Sequence, residues 1–104
     1  MKFLSAYKAA RLIEQLMSEE DIYSPKAEQA ADTLRRLGPG ALPRITDALA
    51  GADKKHTMAL VDILSELAST KTLMEFVPGL SDGDQRVVSG TAWALSSSQK
   101  VEPT

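Results

Sequence analysis

Displaced by 31 residues, the chain falls on itself. ALPRITDALAGADKKHTMALVDIL, residues 41–64, lies over TLMEFVPGLSDGDQRVVSGTAWAL, residues 72–95. Leu42 meets Leu73, Ile45 meets Phe76, Leu49 meets Leu80, Val61 meets Ala92 and Leu64 meets Leu95. Asp53 falls on Asp84 and Lys55 on Arg86. A looser copy precedes these two. Leu34 and Leu37 stand thirty residues before Leu64 and Leu67, while Leu12 and Leu16 stand thirty-three before Ile45 and Leu49. The difference places two or three extra residues in the turn of the first copy, at SEEDIYSPKA. A period of this length marks one supersecondary unit repeated along the chain, each copy needing its neighbour to bury an apolar face.

The spacing within each copy is helical. Phe3, Leu4, Tyr7, Ala10, Ile13, Leu16 and Met17 recur three or four apart, which predicts a first amphipathic helix. Ser24-Pro25 predicts the start of a second, with serine as cap and proline in the first turn. Ala27, Ala30, Ala31, Leu34 and Leu37 form its stripe, and Gly38-Pro39-Gly40 stops it. A third helix is expected from Ala41 to Leu49 with Leu42, Ile45, Ala48 and Leu49 inward. Asp53 caps a fourth from Lys54 to Ala68, with Thr57, Leu60, Val61, Leu64, Leu67 and Ala68 toward the core. A short fifth from Thr72 to Val77 should end or kink at Pro78, and Asp84 caps a sixth. No segment alternates apolar and polar residues for long, so the fold class is all-α, as three helix pairs.

The pattern resembles HEAT repeats, in the short bacterial form also seen in phycobilisome-lyase-type proteins. GALPRITDAL matches the family's first helix, and LSDGDQRVVSGTAWAL its turn and second helix, with Asp82, Asp84, Val87, Ala92, Ala94 and Leu95 in place. The family's arginine after the valine is Val88 here and Thr57 one copy earlier, and Asp82 corresponds to Gly51. The Asp–Arg ladder that often runs along such arrays should therefore be missing or partial. The resemblance implies a right-handed α-α superhelix, a solenoid of about three HEAT-like pairs over residues 1–98, with 99–104 as a flexible tail or linker. Gly90, Thr91, Trp93, Ala94 and Val88 give the last helix no polar capping face, so further repeats or a partner are expected beyond it. The chain then reads as the N-terminal domain of a larger bacterial protein.

Composition closes several classes. Twelve basic and fourteen acidic side chains give a net charge of −2, against the basic excess of most nucleic-acid binders. Cysteine is absent, so thiolate nucleophiles and cysteine metal sites are excluded. Apolar runs fall far short of the ~20 residues that span a bilayer. The first helix carries Lys8, Arg11 and Glu14 where a signal peptide would be apolar, which points to the cytoplasm. His56 is the sole histidine, so no site that needs a second histidine or a cysteine can form around it; it reads as a half-exposed residue of a first helical turn. Glu19, Glu20 and Asp21 lack the alternating oxygen spacing of a calcium loop and read as a solvated turn. No catalytic, cofactor-binding or metal residue is assigned.

What remains is a binding surface. The copies place Trp93 over Asp62 and Asp32, positions expected to face solvent on the second helix of each pair. Tryptophan is enriched at interface hot spots. The plainer reading is a Trp93 folded against the tail, the preceding helix or a following repeat. Asp32, Arg35, Arg36, Asp62, Glu66 and Trp93 are the candidate contacts of a protein partner, in a non-catalytic interaction or scaffold module. A homodimer through the last helix, a nucleic-acid-binding module and an accessory subunit of a tetrapyrrole lyase-like enzyme are the alternatives.

Overall fold

The computed structural model describes residues 2–98, with side chains from residue 7 onward. The expected packing of Phe3 and Leu4 and the expected tail at 99–104 lie outside the described residues. Among the described residues the chain is all-helical, without a strand: α1 Lys2–Ser18, α2 Pro25–Leu37, α3 Leu42–Ala48, α4 Lys54–Leu67, α5 Val77–Leu80 and α6 Gln85–Ser97. Tight 3-10 turns cover Gly38–Ala41, Leu49–Gly51 and Thr70–Phe76.

The caps fall where the sequence puts them. Ser24 Oγ accepts from the backbone N–H of Ala27 at 3.1 Å, and Pro25 opens α2. Asp53 accepts from His56 N–H at 2.9 Å to open α4. Asp84 accepts from Arg86 N–H at 2.9 Å to open α6, and is itself steadied by Asp82 Oδ1, which accepts its N–H at 2.8 Å. Each of these carboxylates and hydroxyls satisfies a donor that the first helical turn leaves without an intrahelical partner. At the far end of α2, Gly38 has φ 72° and ψ −152°, a backbone region that only glycine enters at low cost.

The fifth segment differs from expectation. It winds as a 3-10 turn over Thr70–Phe76 and then as one α turn from Val77, so that Pro78 sits in a first turn and does not end a helix. Lacking an N–H, proline is tolerated there. Thr72 anchors the turn: its Oγ1 accepts from Ser69 N–H at 2.9 Å and donates to the Leu67 carbonyl at 3.0 Å.

Helices pack as consecutive pairs, α1 on α2, α3 on α4 and α5 on α6. The second helices also pack in series, α2 on α4 and α4 on α6, as do the first helices, α1 on α3 and α3 on α5. One core runs through all of them, from Ala9, Ile13 and Leu16 through Leu34, Ile45 and Leu64 to Phe76 and Ala94. Repeat-equivalent residues share their burial along one seam: His56 with Val87, Leu60 with Thr91, Ile63 with Ala94. They part along the other. Val61 is buried but Ala92 is exposed, and Leu49 is buried but Leu80 is 39% exposed, because no described helix packs beyond the third pair. Gly90, Thr91 and Ala94 of α6 point inward. A Cβ on Gly90 would lie 2.8 Å from a Leu49 methyl, and one on Gly79 would lie 2.5 Å from Thr91 Oγ1.

Candidate protein-interaction groove

The series α2, α4, α6 leaves one row of side chains pointing outward between the helices. Asp32, Asp62 and Trp93 occupy that row at equivalent positions, and all three are exposed, Trp93 by 47%. A full turn before them stand Glu28, Met58 and Ser89, also exposed. The row flanks an open groove of about 520 Å³ that Trp93 and Ser97 of α6, Met58 and Asp62 of α4, and Ala31 and Asp32 of α2 help to line. Ile22 and Tyr23, from the long turn between α1 and α2, also line it, and Tyr23 is 71% exposed.

Arg35 organises the charges. Its guanidinium reaches Asp32 in its own helix at 2.9 Å and Asp62 of α4 at 3.1 Å, and it also pairs with Glu66 of α4. Only 29% of its side chain is exposed, so the three carboxylates are gathered around a cation that is largely enclosed. Such a fork spans two helices because guanidinium donors are fixed in a plane that matches carboxylates. This fork links α2 to α4 through residues other than the ladder positions Gly51, Thr57, Asp82 and Val88, and it stops at α4. In α6 the residues equivalent to Asp62, Ser65 and Glu66 are Trp93, Ser96 and Ser97. Ser96 Oγ donates to the Trp93 carbonyl at 3.0 Å, and Gln85 and Ser89 bond to each other, leaving small polar groups beside the indole.

Of the six candidate contacts, Asp32, Arg35, Asp62 and Glu66 thus form one cluster, and Trp93 shares its groove. Arg36 stands apart, exposed, with Nε donating to the Asp32 carbonyl at 3.5 Å. Glu28 and Met58, absent from that set, were readable four residues ahead of Asp32 and Asp62 on the same helical face. Tyr23 was not, since it lies in the turn where the repeat loses its period.

Two groups behave differently from their reading in the sequence. His56 is buried, at 6% exposed, and not half-exposed. Its ring bridges Asp53 Oδ1 and the carbonyl of Glu19, each at 2.7 Å, while Lys55 Nζ donates to the Glu20 carbonyl at 2.8 Å. The acidic turn after α1 is therefore pinned to the start of α4, and Ser24 Oγ donates to Glu19 Oε1 at 2.8 Å within it. The backbone N–H and then the ring of His56 hold the Asp53 carboxyl below its ordinary range. The Arg86 side chain and backbone do the same for Asp84.

Among the described residues no group of histidines and carboxylates is placed to hold a metal ion, and no helix is long and apolar enough to cross a membrane. Comparison with known proteins returns no matching family model, no similar curated protein and no similar solved structure.

Proposed function

We propose that the chain is a non-catalytic protein–protein interaction module, built as a right-handed stack of three HEAT-like helix pairs and binding through the α2, α4, α6 face. The observation that carries this reading is Trp93: the chain's one tryptophan stands half-exposed over a groove whose walls come from all three second helices. Trp93 is joined in the groove by the exposed Tyr23 and Met58, so the indole belongs to a shared exposed apolar surface of the kind that makes contacts. The order of helix packing supports the stacked architecture, with first helices against first and second against second. A preformed row of this kind binds without ordering a loop, so little conformational entropy is lost on association.

The test is comparative. Wild type, Trp93→Ala and Tyr7→Ala, the last on the exposed side of α1, are used as baits under identical conditions. Partners retained by wild type and Tyr7→Ala and lost by Trp93→Ala are expected. The same partners on all three baits would remove the groove from the mechanism.

A further inference from the structure

Resting on that reading, we infer that the groove receives a basic segment of its partner, an arginine or lysine flanked by apolar residues, with the cation beside Trp93. Charge is the first argument. Among the described residues, Glu28, Asp32 and Asp62 line the groove against one cation, Arg35, which is already engaged by Asp32, Asp62 and Glu66. The lining thus carries more negative than positive charge, and the side chains of Asp32 and Asp62 keep 64% and 71% of their surface exposed. Between low-dielectric walls, like charges that converge on one cleft reinforce each other and draw in a counter-charge. An acidic segment or a nucleic-acid backbone would meet the same field as repulsion.

The second argument is the chemistry of the remaining wall. Trp93 and Tyr23 line the same groove and are both exposed, and Met58, 44% exposed, offers a pliable apolar contact. Indole is the strongest ring partner for a cation, and guanidinium stacks on it while its edge still reaches carboxylates. Carboxylates and an aromatic face in one cleft therefore suit one type of side chain at once, a long cation with an apolar stem. Ile22, Ala31 and Ala59 supply apolar ground for its neighbours. The groove crosses three helices, which fits a peptide segment better than a lone small cation.

Because Trp93 is the only tryptophan, its emission reports on this groove alone. The experiment titrates the whole chain with three labelled degenerate peptide pools of equal length: arginine- and lysine-rich with leucine, neutral with leucine, and glutamate-rich with leucine. Trp93 emission and peptide anisotropy are read at low and at physiological salt, and a single-stranded oligonucleotide is run beside them. The basic pool is expected to bind saturably, shift Trp93 emission and weaken as salt screens the contact. Removing two carboxylates away from the core, Glu28→Gln with Asp62→Asn, should weaken it by about two- to fivefold for each charge. Trp93→Ala should weaken it by about tenfold or more, read by anisotropy. Circular dichroism melts confirm that the variants fold. Equal or tighter binding of the neutral or acidic pool, or of the oligonucleotide, overturns the charge assignment while leaving a binding groove. Basic binding that neither variant weakens places the contact elsewhere and overturns it too. If no probe binds or moves Trp93 emission, this inference falls, while the interaction reading stands or falls on the bait comparison.

Discussion

His56 shows how a residue with no chemistry of its own can hold two parts of a chain together. Its ring is enclosed, and each nitrogen faces an acceptor, the Asp53 carboxylate on one side and the Glu19 carbonyl on the other. Replacing it by alanine removes both hydrogen bonds and leaves a buried gap. A loss of about 2–3 kcal/mol is expected from urea unfolding, with a midpoint shift large enough to separate it from the surface variant Lys54→Ala. Asp53 adds a pH dependence with a definite sign. Its folded carboxyl is held below the ordinary value of 3.8. Its contribution is therefore fully present above that value and is lost as pH falls through the lower folded one. Acid unfolding of Asp53→Asn, followed by circular dichroism, should accordingly be less steep below about pH 4 than that of wild type. The caps were legible because Ser24, Asp53 and Asp84 act on N–H groups two or three residues away. The burial of His56 was not, because its second partner lies 37 residues back along the chain, in a turn with no periodic signal.

At the scale of the helices, close approach decides what each seam tolerates. Gly79 meets Thr91 and Thr46, and both threonines are buried and fixed by hydrogen bonds to the carbonyls of Val87 and Leu42. They cannot yield, so Gly79→Ala should cost about 2–3 kcal/mol despite alanine's better helix propensity. The nearest atoms to a Cβ on Gly90 belong to the Leu49 side chain, which holds no hydrogen bond and can yield more than the two threonines, so Gly90→Ala should cost less. Thermal melts of the two variants give the ranking directly, and the reverse order would contradict the packing described. Between α2 and α4 the Arg35 fork matters more than an isolated surface pair. Arg35→Met should lose about 1 kcal/mol at low salt and less at high salt, checked by denaturant unfolding at two ionic strengths. The helix pattern could be read in detail from the sequence where turns were short. It failed at Thr70–Phe76, where the segment winds as a 3-10 turn with Thr72 Oγ1 tied to Ser69 N–H and the Leu67 carbonyl, a bond set that periodicity does not show.

Across the whole molecule, the repeat was the most informative line of text. It set the pairing, the caps and the outward row that contains Trp93. What it could not supply was the end of the series: Ala92 and Leu95 align with buried residues, yet Ala92 is exposed and Leu95 only partly covered. Alignment carries burial from one copy to the next only while a neighbour stands on both sides. With a radius of gyration of 12.6 Å, the pairs are as compact as an ordinary domain of this length, about 13 Å, and share one core. Unfolding should thus be a single transition, with ellipticity and Trp93 emission falling together. The most direct measurement is collisional quenching of Trp93 by caesium, iodide and neutral acrylamide, with light scattering over a range of protein concentrations. An indole open to acrylamide in a monomer at every concentration, and quenched better by caesium than by iodide, is the expected result. Blue-shifted emission that all three quenchers fail to reach would put Trp93 in the interior and leave the groove without its anchor.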